Sequence, residues 1–448
     1  MDLKKQLMLE VAQRILAEKI LCDHCLGRQF ALLGYGLSNK KRGEIIKNAL
    51  VLQLIDKLAE NETNLRVLTN IALSGNRLAR ESLERKNQPV PERKENCTIC
   101  KDLFTKLDFY TKKVLDKLEG EEYTTFLVGA KITPELMERE DNLRAKYQIT
   151  TGESIKSEFT RELGKRIMSV TGKEPNFDQP EITILVDLQQ EKITLQRRSL
   201  FIYGRYNKYI RTIPQTKWPC YECNGKGCKS CNFTGKRYQE SVEELIAAPV
   251  LKITKGTCTR FHGAGREDID ALMLGSGRPF ILEIREPKVR TIDLKKIERV
   301  INRKARKKVA VSRLAFSSKK QVQTLKQQAE QSQKTYRAKI ELEKPKTPNE
   351  IRQVVETLKN AVIEQATPSR VLHRRANLNR RKKVFDITIK QLDPIHLLAE
   401  ITGQGGLYIK ELISGDGGRT KPSFSSILEC EARCTELDVI KIHYKDFK

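Results

Sequence analysis

Along the first hundred positions, apolar residues recur at helical spacing. Leu7, Val11 and Ile15 stand four apart; Ile46, Leu50, Leu54 and Leu58 repeat the interval, with Ile45 and Ala49 beside them. These stripes predict helices over residues 2–20 and 39–60. The stretch 85–95 is polar and carries Pro89 and Pro91, which predicts a loop or linker. From about residue 121 the pattern changes. Thr133-Pro134 opens a helix, Ile155, Phe159, Leu163 and Ile167 stripe another, and then Ile182, Ile184 and Val186 alternate, followed by Ile193, Leu195 and the run 199–206. Further strands are predicted over 280–284, 309–316, 334–342, 385–389 and 440–444. Among them, Thr347-Pro-Asn-Glu350 is a capping box with proline at the first helical position, and Ile351, Val354, Val355, Leu358 and Val362 give its helix an apolar stripe. Residues 319–334, rich in Gln and Lys, read as a polar helix or loop. The class implied is α+β and multidomain, with a catalytic-sized unit from about residue 240 onward and no internal repeat.

Charge narrows the class of partner. Lys and Arg number 84 against 57 Asp and Glu, a net +27 over 448 residues, and such a surface draws in polyanions. The excess is clustered. Arg303, Lys304, Arg306, Lys307 and Lys308 form one block, which also fits a solvated helix face; Arg370, Arg374, Arg375, Arg380, Arg381, Lys382 and Lys383, with His373 among them, form a denser one that reads as a phosphate-contacting loop. No apolar run approaches the roughly 20 residues of a membrane-spanning helix, and no signal-peptide core is present, so a soluble, cytoplasmic protein is expected. A monomer is compatible with all of this, though the oligomeric state is not legible.

Eight of the eleven cysteines fall in four CxxC pairs: Cys22/Cys25, Cys97/Cys100, Cys220/Cys223 and Cys228/Cys231. In a reducing compartment this spacing points to thiolate metal sites, because a CxxC turn aims two sulfurs at one tetrahedral ion. The last two pairs are separated by four residues, with Gly225, Gly227 and Gly235 available for tight turns, and predict one zinc knuckle. The first two pairs either share a second structural zinc, which is the favoured reading, or act as separate thiol pairs; His24 is expected at the surface rather than as a ligand. Cys258, Cys430 and Cys434 read as small buried hydrophobes.

Within this basic chain, the loop Phe261-His-Gly-Ala-Gly-Arg-Glu-Asp-Ile-Asp270 sets three carboxylates beside an arginine. A carboxylate among phosphate-binding cations repels phosphate and needs a separate reason. Covalent catalysis on a base is one candidate, and a solvated turn is the other.

Three ordered segments carry a resemblance. Gly263-Ala-Gly-Arg-Glu-Asp-Ile-Asp270, Lys334-Thr-Tyr-Arg337 and Gly406-Leu-Tyr-Ile-Lys-Glu-Leu-Ile-Ser-Gly-Asp-Gly-Gly-Arg-Thr420 look like the core motifs of a pseudouridine synthase. With the cysteine knuckles and the run ending Leu200-Phe-Ile-Tyr-Gly-Arg205, the chain resembles the archaeal-type tRNA pseudouridine synthases that act on T-loop positions 54 and 55. The resemblance is strongest from about residue 200 and weakest over 40–95. It implies a helical, zinc-binding region at 1–120, a THUMP-type RNA-binding domain at 121–218, a knuckle at 219–239 and a catalytic domain of mixed sheet and helices at 240–448. It further implies tRNA as partner, structural zinc and no organic cofactor. Asp268 becomes the nucleophile, with Asp270 as runner-up, and Tyr336 lies beside the target base unless it is simply a packed aromatic. Lys410 takes the place of the cation that keeps the nucleophile ionised. Many pseudouridine synthases have arginine at that place, so Arg419 or Arg266 are alternatives. Arg266, Tyr408, Arg374, Arg375 and Arg419 are the further substrate-binding candidates.

Two other classes remain open on the sequence. One is a non-catalytic zinc- and THUMP-containing RNA-binding protein or RNA chaperone. The other is a different RNA-modifying enzyme, disfavoured because the chain lacks both a GxxxxGK[ST] loop and a glycine-rich turn leading into a long apolar helix.

Overall fold

A computed structural model describes residues 3–33, 36–90 and 95–447, without the side chains of 3–6, 59, 60 and 374. The chain divides into two compact units, residues 1–198 and 199–448. No helix among the described residues is long and apolar enough to cross a membrane.

In the first unit the helical stripes fold as read. Leu3–Glu18 and Asn39–Leu54 are helices, the second capped by Ser38, whose side chain accepts from the Lys41 amide; Ile46, Leu50 and Leu54 are buried, and residues 55–60 continue as a tighter turn. Of the polar stretch at 85–95, residues 91–94 lie outside the described residues. A four-stranded sheet follows in the order Glu174–Pro175, Thr125–Lys131, Ile182–Asp187, Lys192–Arg197. Helices Pro134–Tyr147 and Ile155–Thr171 bury Leu136, Leu143, Phe159, Leu163 and Ile167 in the core that this sheet shares.

The second unit is built on a ten-stranded mixed sheet. Its main path runs Thr420–Lys421, Val362–Ala366, Asn379–Gln391, His396–Gly403, Lys334–Leu342, Ala432–Ile442, Leu272–Arg285, Leu200–Lys208, Val309–Ser317, and Cys258–Gly263 pairs with Leu272–Arg285 off that path. The strand Leu200–Lys208 therefore belongs to this sheet, although the sequence reading grouped everything up to 218 with the preceding domain. Its β pattern is the same in either setting, and only the pairing with Leu272–Arg285 and Val309–Ser317 decides it.

Lys334–Leu342 lies near the middle of the path. Ala338, Ile340 and Leu342 are buried on alternate positions, as period-two patterning requires. The helix Pro348–Leu358 carries the expected capping box, buries Ile351, Val354 and Leu358, and packs on Asn379–Gln391. It stops four residues before Val362. Asn360 takes a left-handed φ of 61°, the chain reverses, and Val362 begins an edge-proximal strand, half-exposed. Residues 319–331 form a helix behind a second capping box at Ser318.

Replacing Thr347 with alanine removes one half of its capping box. The expected cost is about 1 kcal/mol, read as a lower urea midpoint for the second unit, with no change in zinc content.

Candidate active site and metal centres

The loop that carries the three carboxylates leaves the strand Cys258–Gly263 and re-enters the sheet at Leu272. Gly265 adopts φ +82°, and a Cβ there would stand 3.1 Å from Nη1 of Arg278, so the bend and the close approach both call for glycine. Beyond it the three acids part company. Glu267 turns inward and is 7% exposed; Asp268 and Asp270 turn outward.

Glu267 accepts from the Tyr206 hydroxyl at 2.8 and 2.9 Å and from Nε of Arg278 at 2.8 Å. Arg278 also donates to the Ala264 carbonyl at 2.8 Å, and Gln215 donates to both the Tyr206 hydroxyl (2.8 Å) and the Gly265 carbonyl (2.9 Å). Burial, then the Glu267 charge, raises the Tyr206 hydroxyl well above its ordinary value. A second buried cation grips the loop from the other end. Nζ of Lys208 donates to the carbonyls of Ile213, Asp268 and Ile269 at 3.2, 3.2 and 2.9 Å, and burial lowers its pKa.

Asp268 is met by two cations. Nη1 of Arg370 lies 3.0 Å from its Oδ2 and Nζ of Lys410 lies 3.8 Å from the same atom. Lys410 is closer to Asp270, at 2.6 Å. Partial burial works to raise the Asp270 carboxyl, but the Lys410 hydrogen bond and charge outweigh it and hold that group below the usual carboxylate range. Arg370 is itself anchored: its Nε donates to Oε1 of the buried Glu411 at 2.6 Å. Burial lowers the guanidinium's pKa, yet the Glu411 hydrogen bond and the charges of Glu411 and Asp268 leave it raised overall. Its backbone turn, Ser369–Arg374, is pinned by the Ser369 amide donating to Asp416 at 2.9 Å.

These groups open into a cleft of about 690 Å³ that Asp268, Tyr336, Lys334, Arg370, Tyr408 and Lys410 help to line. Burial, with a contribution from the Asp268 charge, pushes the Tyr336 hydroxyl up to about 12, so it is a neutral hydrogen-bonding group at neutral pH. Lys334 is 6% exposed, and its ammonium donates to the Ala329 carbonyl at 3.1 Å. Burial, then the neighbouring charges of Arg278 and Lys382, lowers it to about 8.

The structure thus brings Asp268, Tyr336, Lys410, Tyr408, Arg266 and Arg375 to one cleft. Arg375 donates to the Tyr408 hydroxyl at 2.8 Å, and the Arg266 guanidinium lies 5.7 Å from the Trp218 ring centre. Arg419 is placed elsewhere. It donates to the Thr367 carbonyl at 2.9 Å and to Asn377 at 2.6 Å, bracing the basic loop instead of lining the cleft. The Arg374 side chain lies outside the described residues. Arg370, read from sequence only as part of a phosphate-binding block, is the cation nearest to Asp268 among the described residues. No local signal marks it, since about a hundred residues separate the two.

Both cysteine quartets assemble. In the first unit Cys22, Cys25, Cys97 and Cys100 bring their sulfurs within 4.8 Å of one another, and in the second Cys220, Cys223, Cys228 and Cys231 do the same. Sulfur pairs at 3.6 Å (Cys22 and Cys100), 3.7 Å (Cys228 and Cys231) and 3.9 Å (Cys220 and Cys228) match the roughly 3.8 Å edge of a tetrahedron with about 2.3 Å metal–sulfur bonds. In the knuckle, amides of Gly227, Cys228 and Gly235 donate to sulfur at 3.1–3.2 Å, a donor set that suits thiolates. Each quartet can hold one metal ion. His24 takes no part, and it is not a surface residue either: it stacks on Phe104 at 4.3 Å and bonds Glu158 at 2.7 Å. Of the remaining cysteines, Cys430 is buried and Cys434 half-buried, but Cys258 is exposed, because it opens the strand added outside the main path.

Residues 201–443 match the family described as Pus10, C-terminal, and residues 110–187 match the archaeal Pus10 THUMP domain. The chain belongs to the Pus10 family. The protein named tRNA pseudouridine synthase Pus10 from Methanocaldococcus jannaschii is 44% identical over 438 residues, spanning 96% of this chain and 93% of its own length. Its namesake from Methanothrix thermoacetophila is 41% identical over 437 residues, spanning 97% and 94%. Among solved structures, a Cbf5-Nop10-Gar1 complex aligns over 46% of each chain at 19% identity, with a TM-score of 0.28, too loose to bear on the site.

The depressed lysine generates a direct test. Lys334 keeps its charge below pH 8 and loses it above, so the cleft grows less positive as pH rises from 7 to 9. Labelling lysine Cε with ¹³C should reveal one ammonium titrating near pH 8, absent from Lys334→Met.

Proposed function

We propose that this member of the tRNA pseudouridine synthase family isomerises uridine to pseudouridine at T-loop positions 54 and 55, with Asp268 as nucleophile. The observation that supports it most is the Asp268 carboxylate at the edge of a cleft of about 690 Å³, 3.0 Å from Arg370 and 3.8 Å from Lys410, and sharing that cleft with Tyr336. A nucleophilic carboxylate in a closing site needs such fixed cations, since desolvation alone would protonate it. The reaction needs no redox cofactor. The C1′–N1 glycosidic bond breaks with Asp268 assisting, the detached base turns in the cleft, C5 bonds C1′, and the proton lost from C5 is balanced by one gained at N1. Tyr336, neutral at the cleft wall, faces the base, and Lys410 divides its charge between Asp268 and Asp270.

The target must leave its stack to reach Asp268, at a cost of a few kcal/mol that contacts to flanking RNA have to offset. Arg375, Arg380 and Lys382 line the same cleft and supply phosphate contacts there, with Arg266 and Tyr408 nearer the base. The THUMP domain, matched over residues 110–187, holds a further part of the tRNA, and the protein works in the cytoplasm. The two quartets hold zinc in a structural role: a closed Cys₄ site leaves no position open for substrate. A non-catalytic RNA-binding role is disfavoured because Asp268 would then be a solvated turn residue, with no use for its two cations.

Asp268→Ala should abolish pseudouridine formation on unmodified tRNA, mapped by carbodiimide-blocked primer extension, while affinity stays within a few-fold; Asp270→Ala should lose less. Substantial turnover by Asp268→Ala would remove it from the nucleophile role.

Purified protein should carry about two zinc ions, one for each quartet. Converting Cys220 and Cys223 together to serine should lower the count by about one and loosen the knuckle, because metal binding there is part of folding. Elemental analysis with limited proteolysis reads both effects, and an active protein free of zinc would reject the assignment.

A further inference from the structure

Two cavities meet at Asp268. Beside the cleft lies a smaller cavity of about 310 Å³ that Trp218, Tyr238, Arg266, Asp268, Arg370 and Lys410 help to line. The Trp218 and Tyr238 rings meet edge to face with centroids 5.7 Å apart at 81°, and guanidinium carbons of Arg266 and Arg237 lie 5.7 and 5.5 Å from the Trp218 ring centre.

What places these rings is the cysteine knuckle. The Cys220 amide donates to the Gly235 carbonyl at 2.9 Å, the Arg237 amide donates to the Trp218 carbonyl at 3.0 Å, and Pro219 bridges Lys236 in antiparallel fashion. Trp218 and Tyr238 are thus the two ends of the stem that the four sulfurs close. A structural Cys₄ site performs no chemistry of its own. Its output is the position of that stem.

We propose that this chamber is a stacking seat for an unpaired nucleobase adjacent to the target uridine, presented by the Cys220–Cys231 knuckle. The idea rests on the pseudouridine synthase reading. Asp268 and Asp270 in the wall repel a bare phosphate, whereas aromatic rings with guanidinium planes suit the face of a base. The volume lies at the lower end of ligand pockets and fits one base rather than a run of nucleotides. Because Arg266, Asp268, Arg370 and Lys410 line both cavities, a base in each would flank Asp268, as neighbours in one strand do. Extruding the target leaves its neighbour unstacked, and the seat offsets that loss by stacking the neighbour on protein rings.

Trp218 is the single tryptophan of the chain, so its fluorescence reports on this chamber alone. The probe is a stem-loop RNA with the target uridine in its loop, alongside two versions carrying an abasic site immediately 5′ or 3′ of that uridine. Saturating stem-loop should quench the emission, and one abasic version should lose the quench and bind roughly tenfold more weakly, within the stacking range. Trp218→Phe should bind nearly as wild type. Trp218→Ala should lose the same factor on intact RNA and nothing further on that abasic RNA, because both changes remove one contact. The abasic arm leaves the protein untouched, so it decides the matter even if Trp218→Ala folds poorly. Pseudouridine is measured on the same samples. Isomerisation with unchanged emission, or losses that simply add, overturns the seat; no isomerisation by the wild-type protein overturns the enzymatic reading on which the seat rests.

Discussion

The second unit's chemistry depends on one buried carboxylate. Glu267, with Arg278 and the Tyr206 hydroxyl on its two oxygens, is an ion pair removed from water, and losing either charge would leave the other uncompensated at about 3–5 kcal/mol. Such a pair adds little net stability, but it admits one arrangement. With Glu267 drawn inward, the next side chain, that of Asp268, is left on the outer side of the loop. Lys208 adds a second constraint by holding the carbonyls of Asp268 and Ile269. The loop thereby offers its carboxylate from a backbone fixed on both sides, so little ordering remains to be done when a substrate arrives.

The partners of Asp268 come from far along the chain, and sheet register delivers them. Tyr336 pairs with Ile401 on one side and Val439 on the other, and its ring packs against two separate apolar cores. A slip of one residue in the central strand would turn Tyr336 to the opposite face and expose Ala338 and Ile340. The strand His396–Gly403 leads through Gly405 and Gly406 into the short helix Ile409–Ser414, which carries Lys410. At Gly406, φ is +91° and a Cβ would sit 3.3 Å from the Lys382 side chain, so this turn, like the one at Gly265, is open only to glycine without strain.

Legibility in the sequence followed the range of the interaction. The cysteine quartets were readable because a CxxC turn is a local geometry, and the joining of Cys22/Cys25 to Cys97/Cys100 followed from the need for four ligands. That Asp268, Tyr336 and Lys410 share one cleft was readable from motif order. Arg370 was not, because its place beside Asp268 depends on the Ser369–Arg374 turn being tied to Asp416 across the sheet edge. Glu267, Lys208 and Arg278 were passed over for a related reason: in a chain with 84 basic residues, nothing local separates a buried cation from a solvated one. Val362 misled because a spacing of four from Leu358 imitates a continuing helix, while the reversal at Asn360 is a backbone event without an apolar signature. The pairing of Leu200–Lys208 was hidden in the same way, since β alternation does not say which sheet receives the strand.

A polyanion drawn in by the net positive charge would compete with Asp268 for its cations. Arg370 is the exposed candidate for such competition. Its bond to Glu411, at 2.6 Å, is shorter than its 3.0 Å contact with Asp268, and Glu411 is almost fully enclosed. A charge-assisted hydrogen bond to a desolvated carboxylate is among the stronger polar contacts, so pulling Arg370 toward phosphate would strand a buried anion. Lys410 is tethered likewise by Asp270. The cations around Asp268 are therefore committed to protein carboxylates. Cations at the rim, Arg375, Arg380 and Lys382, remain to meet the backbone of a polyanion. Separation of the two sets lets one surface attract a polyanion while the Asp268 carboxylate, held by its own cations, lines the same cleft.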